Sequence, residues 1–157
     1  MLNGAHLEVR LFLCDVWEKY CQKQEMSKLE RMTASIIAEH PEFHTDIDKQ
    51  APALQADFTP EGGRINPYLH LSLHLAIEEQ LQMDFPPGIA NLHRRLTAKC
   101  GSEHESVHQI MDCFVDIMLR AERDKASMNP EAYIQAIRIK AESSRPSRVP
   151  ARQLVRQ

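Results

Sequence analysis

The chain lacks the features that mark membrane-bound and exported proteins. No run of apolar residues approaches the ~20 that a membrane-spanning helix needs. The first residues show neither the basic-then-apolar layout nor the small-residue cleavage site of a signal peptide. We therefore expect a cytoplasmic protein that has no membrane partner.

Motifs with a known catalytic mechanism are also missing. The sequence contains no H-E-x-x-H zinc-protease motif and no serine or cysteine nucleophile motif. Glycine is scarce, and Gly62-Gly63 lacks the lysine and the helical context of a phosphate-binding loop. The sequence thus indicates no reaction, and whether the protein is an enzyme stays open.

The four cysteines show no C-x-x-C spacing, which argues against a thiolate metal site or a redox motif. In a protein that is not exported, we expect them to be reduced thiols. Cys14 and Cys21 are seven residues apart and so share one helical face, where we expect both to pack in the core.

Charge of one sign is not in excess either. The net charge of −3 and the pI of about 6.2 give no reason to expect nucleic acid as a partner. The 157 residues, 43% of them hydrophobic and 26% charged, suit one globular domain with a hydrophobic core. A protein partner or a homo-oligomer stays open.

Helix start and stop signals recur along the chain and predict an all-α fold. Ser27 and Ser102 each precede a glutamate by three residues, which is the capping-box pattern. Asn66-Pro67 and Asn129-Pro130 are further start signals, and Gly101 is a stop signal. We predict a single-domain bundle of about five to six helices, which cover approximately residues 5–22, 27–40, 67–82, 87–99, 102–123 and 129–141.

The helix predicted over about 67–82 is apolar on nearly every side, so we expect it at the centre of the bundle. Residues 48–65 contain prolines and paired glycines and predict a long loop. The bundle domain is expected to span residues 1–141. Residues 142–157, with four arginines and two prolines, are expected to form a disordered tail.

Histidine is the one residue type with an unusual distribution. Six of the eight histidines form H-x-x-x-H pairs: His40/His44, His70/His74 and His104/His108. Random placement would give only about one-third of one such pair by simple counting. Residues four apart share a helical face, so two imidazoles can reach one ion at the ~2.0–2.1 Å bond lengths of zinc.

The second and third pairs lie on the apolar stripes of their helices, which predicts that they point into the bundle. Pro41 interrupts the first pair and disturbs its helical geometry. Imidazoles with neighbouring carboxylates suit iron, zinc or manganese. We therefore predict one or two transition-metal ions held between facing helices. The candidate ligands are His70, His74, His104, His108, His40, His44, Asp112 and Glu42.

Two other interpretations need no metal. The histidines of a non-enzymatic scaffold or interaction protein could knit the core by hydrogen bonds, because buried polar groups need partners. Clustered imidazoles could instead sense pH, since histidine titrates near neutrality. We rank the pH sensor last, because buried histidine pairs resist charging.

Several segments resemble an uncharacterised family of bacterial proteins, the domain of unknown function 1841. The resemblance covers roughly residues 9–139. It rests on Val16–Tyr20, His40–His44, Asn66–His70, His74–Ile77 with Glu79-Gln80, Pro86–Ile89, and Glu103-His104 with His108.

The resemblance implies that the paired histidines belong to the family pattern, together with Glu30, Glu42 and Glu79. It implies no activity, because the family has none assigned. The pair spacing is also similar to that of hemerythrin-like and DinB-like metal bundles, which is an analogy of spacing only.

Overall fold

The computed structural model describes residues 2–48 and 66–143. Within these ranges the backbone forms seven α-helices and one 3-10 helix, with no strand, which confirms the all-α class. The elements are α1 (Leu2–Cys21), α2 (Lys28–Ala38), the 3-10 helix (Pro41–Phe43), α3 (His44–Ile47), α4 (Pro67–Met83), α5 (Ile89–Cys100), α6 (Glu103–Arg123) and α7 (Pro130–Glu142). Most of the predicted 48–65 loop, and the arginine-containing tail beyond residue 143, lie outside the described residues.

The predicted caps explain where the helices begin and end. At the start of α2, the Ser27 hydroxyl accepts the N–H of Glu30, and the Glu30 carboxylate accepts the N–H of Ser27 at 2.7 Å. The Ser102 hydroxyl accepts the N–H of Glu105 at the start of α6. Gly101 ends α5 at φ 77°, in the left-handed region that glycine adopts without steric cost.

Two compact units divide the chain, and the boundary between Leu75 and Ala76 falls inside α4. In the first unit, α1 packs against α2 and α3, and α2 also contacts the 3-10 helix. The core of this unit is a cluster of buried side chains that includes Leu13, Val16, Trp17, Ile36, Ile37, Phe43, Ile47, Tyr68 and Leu71.

The second unit is built on a triangle of helices, because α5, α6 and α7 all pack against one another. Its buried side chains include Ile89, Leu92, Leu96, Ile110, Cys113, Ile117, Tyr133 and Ile137. Lys99 of α5 donates hydrogen bonds to the carbonyl oxygen of Lys140 and, at 2.8 Å, to the Ser143 hydroxyl. These bonds tie the C-terminal end of α7 to α5.

The cysteine predictions are confirmed in one respect and wrong in another. All four thiols are free. Cys14 is buried as expected, but Cys21 is exposed. Cys21 is the last residue of α1, one turn beyond the buried Trp17. The helical face that it shares with Cys14 is therefore no longer covered by the core at this position. Among the described residues, no helix combines the length and the apolar character needed to cross a membrane.

Candidate metal centre

The first histidine pair lies where Pro41 ends α2. In a continuing helix, residue 41 would donate its N–H to the carbonyl of Ile37, but proline has none. The N–H of His40 instead bonds the Ile37 carbonyl at 3.0 Å, three residues back. The carbonyl of Ile36 is thereby left to another donor.

Both histidine side chains use the carbonyl groups at this helix end. His40 donates Nδ1–H to the oxygen of Ile36 at 2.7 Å, and His44 donates Nε2–H to the oxygen of Ile37 at 2.8 Å. A carbonyl oxygen only accepts, so each of these nitrogens must carry the proton. For neutral His40 this leaves one in-plane lone pair, on Nε2.

A second consequence of the helix end is electrostatic. The last carbonyl groups of a helix carry a partial negative charge equivalent to roughly −0.5 elementary charge. His40 is completely buried and bonded directly to one of these carbonyls. A cation bound to its imidazole would therefore lie where positive charge is stabilised.

Three imidazoles of the first unit form a compact buried set: His40, His70 and His74. His70 and His74 are one turn apart on α4, with ring centroids 4.9 Å apart. The ring of His40 is 5.0 Å from that of His70 and 4.4 Å from that of His74. The two Nε2 atoms of His40 and His70 are 3.2 Å apart. Phe43 covers this set, its ring 5.4 Å from that of His70.

The third predicted pair, His104 and His108, lies in the first two turns of α6. The ring centroids are 4.3 Å apart, as expected for residues on one helical face, and both side chains are half-buried. The capped start of α6 sets their position, because Ser102 fixes the first residue of the helix.

Four histidines form a group that could hold a metal ion: His40, His74, His104 and His108. Each offers one ring nitrogen, and these four nitrogens lie within 4.8 Å of one another. In a tetrahedral site with bond lengths near 2.0–2.1 Å, the ligand atoms are about 3.4 Å apart. The four nitrogens are thus close enough together to be candidate ligands of one ion.

A family comparison bears on these positions. The model of the domain of unknown function (DUF1841) matches residues 5–139. The chain belongs to the DUF1841 family. No curated protein and no solved structure matches it. The predicted resemblance is confirmed, and every candidate ligand lies inside the DUF1841 region.

The carboxylates that we predicted as ligands in this DUF1841 chain are not among the four residues of the group. Asp112 faces Lys140, whose Nζ is 3.5 Å from the carboxylate, and is not part of the histidine group. Burial raises the pKa of Asp112, and the nearby Lys140 partly offsets the rise. Glu42 is exposed on the 3-10 helix and is not part of the group either.

Two of the predicted histidine ligands also stand outside the group of four. His44 bonds the carbonyl of Ile37, and its ring packs 4.3 Å from that of Trp17. His70 contacts the group through His40 but does not belong to it. The structure thus brings one histidine of the first pair, one of the second and both of the third together.

Sequence analysis missed the Ile36 carbonyl, which orients His40, and Lys140, which pairs with Asp112 outside the histidine group. The first had an indirect signal, because Pro41 cannot donate to Ile37 and so marks a helix end at which carbonyl groups need other donors. Lys140 had none, since it is 28 residues from Asp112 along the chain.

Proposed function

We propose that this DUF1841 protein binds one divalent transition-metal ion through the imidazoles of His40, His74, His104 and His108. The observation that carries the proposal is the convergence of four ring nitrogens within 4.8 Å. Buried imidazoles need partners, and a shared ion satisfies several at once. The C-terminal end of α2 adds negative potential at His40, which favours a cation there.

The donor set narrows the metals considered from the sequence. Imidazole suits zinc, iron, copper and nickel, whereas manganese prefers carboxylate, carbonyl and water ligands. Neither Asp112 nor Glu42 belongs to the group, so we propose zinc or iron(II) and no longer favour manganese. Four protein ligands complete a tetrahedral site, which is typical of structural zinc centres. A catalytic role is not part of the proposal.

Elemental analysis of purified, untagged protein tests the proposal. We expect about one zinc or iron ion per chain, and loss of most of it in His74→Ala and His104→Ala, because three imidazoles hold an ion less well than four. His44→Ala is the matched control, since it also removes an H-x-x-x-H histidine but one outside the group. Fewer than about a tenth of an ion per chain, against the single ion that a four-ligand site holds, would contradict the proposal.

A second candidate function is a scaffold or interaction protein whose histidines only bond one another and the backbone. The hydrogen bonds of His40 to Ile36, of His44 to Ile37 and of His70 to His40 favour it. This candidate requires that a chelator leave the melting temperature unchanged. Cytoplasmic location stays a prediction under both candidates, and a protein or homo-oligomeric partner stays open.

A further inference from the structure

We propose that His70 competes with the metal ion for His40: in the metal-free protein it donates a hydrogen bond to the nitrogen that binds the ion. The inference rests on the proposed metal site and concerns how that site is filled. His70 is then a positioning residue and not a ligand, because its hydrogen bond occupies the coordinating nitrogen of His40 when no ion is bound.

The first step is that His40 has one coordinating nitrogen. Its Nδ1–H is committed to the Ile36 carbonyl at 2.7 Å. Turning the ring over would place Cδ2 against that oxygen, and moving the proton to Nε2 would leave a bare Nδ1 there; either change loses a buried hydrogen bond. Only Nε2 is left to bind an ion, and a neutral imidazole has a single in-plane lone pair there.

The second step is that His70 already uses this lone pair. The Nε2 atoms of His40 and His70 are 3.2 Å apart, within hydrogen-bond distance, and the rings are near perpendicular at 72°. Two lone pairs do not bond each other, so His70 must supply the proton. His70 therefore donates and His40 accepts.

The third step is that the lone pair cannot serve both partners. His70 is outside the group of four ring nitrogens, while His74, one turn further along α4, belongs to it. His70 is also 6% exposed and packed against Phe43, so it is held in place by the core. When the Nε2 lone pair of His40 binds an ion, the hydrogen bond from His70 breaks.

This exchange has a measurable cost. The net value of one hydrogen bond makes the ion bind about two- to tenfold more weakly than it would without His70. Removing the donor should therefore tighten binding, whereas removing a true ligand would weaken it. Substitution of His70 should therefore change the metal affinity in opposite directions, depending on whether His70 is a hydrogen-bond donor or a ligand.

The experiment is a zinc titration, with a competing chromophoric chelator, of the full chain and three variants. His70→Leu removes the donor, and we expect binding about two- to tenfold tighter than in the wild type, as one hydrogen bond implies. His70→Gln keeps an N–H donor and should stay close to the wild type. His44→Leu, whose ring bonds only the Ile37 carbonyl among these groups, is the control and should not change the affinity.

A spectroscopic measurement on the wild type covers the case in which His70→Leu does not fold. Nitrogen-15 NMR of the imidazoles should show that zinc moves the Nε2 resonance of His40 to the metal-bound range and leaves both His70 nitrogens outside it. A metal-bound His70 nitrogen, or weaker or unchanged zinc affinity in His70→Leu, would overturn the inference while the metal site itself stands. Absence of zinc binding in the wild type would overturn the proposed function as well.

Discussion

The two ring nitrogens of His40 have different partners, and this difference determines which nitrogen can bind an ion. Nδ1 bonds a main-chain carbonyl of α2, while Nε2 lies 3.2 Å from Nε2 of His70. The sequence predicted that His40 could be a ligand but could not say through which atom. That answer depends on which carbonyl the end of α2 leaves open, and this is a property of the folded backbone.

The buried carboxyl group of Asp112 makes the stability of the protein depend on pH. Because burial raises its pKa, folding favours the protonated carboxyl, and this stabilisation is lost as the pH rises through the ordinary pKa of 3.8 toward the folded value. Asp112→Asn mimics the neutral form. We expect it to raise the unfolding free energy at pH 7 by up to about 1 kcal/mol, measured by urea denaturation.

The gain should shrink as the pH falls toward 3.8, where the wild-type carboxyl also becomes neutral. Metal content should be unchanged in Asp112→Asn, because Asp112 faces Lys140 and does not belong to the histidine group. Loss of metal in this variant would restore the prediction that Asp112 is a ligand.

At the scale of the elements, α2 is fixed at both ends by side chains. Its start has the reciprocal bonds of Ser27 and Glu30, and Glu30 also pairs with Lys19 of α1 at 2.6 Å. Its end has the bonds of His40 and His44 to Ile36 and Ile37. The start follows a local pattern and was predicted; the bonds at the end depend on how the chain turns at Pro41 and were not.

Glu30 makes the stability of α2 depend on pH. The hydrogen bond from Lys19, helped by the N–H of Ser27, lowers the pKa of Glu30 below its ordinary 4.5. Its stabilisation is therefore complete above pH 4.5 and is lost as the pH falls through the lower folded value. We expect Glu30→Gln to melt below the wild type at pH 7, with the difference closing in acid; Glu25→Gln is the exposed control. A difference that persists at pH 3 would contradict this explanation.

His44 tests the other end of the same helix. His44→Ala removes a hydrogen bond to the Ile37 carbonyl and a ring contact with Trp17. We expect the unfolding free energy to fall by about 1–2 kcal/mol, the value of a hydrogen bond together with the loss of packing. Chemical denaturation measures it. An unchanged unfolding free energy would show that the bond from His44 to the Ile37 carbonyl does not stabilise the end of α2.

For the whole molecule, the proposed ion couples histidines that are far apart in the sequence. An ion that binds only the folded chain raises the unfolding free energy by about 2.7 kcal/mol when its free concentration is a hundred times the dissociation constant. We expect zinc to raise the melting temperature and a chelator to reverse the rise. His104→Ala should abolish most of the effect. A melting temperature that neither zinc nor a chelator changes would favour the second candidate function, a scaffold or interaction protein.

The fold could be predicted further than the site because its signals are local. Ser27, Ser102 and Gly101 act on residues within one turn, so the sequence alone placed the helix ends. The H-x-x-x-H spacing likewise predicted which histidines share a face. It could not show that His70 lies outside the group, because that depends on the backbone between elements and not on spacing.

The proton position in His40 has a further consequence for exchange at the ring. Since the main chain of α2 dictates which nitrogen is bare, the imidazole presents a single reactive edge to the interior. A partner can be replaced at that edge without any turning of the ring, so the side chain keeps one orientation while its companions change. Helix termination at Pro41 thereby fixes the orientation of the histidine at which the proposed ion would replace a hydrogen bond.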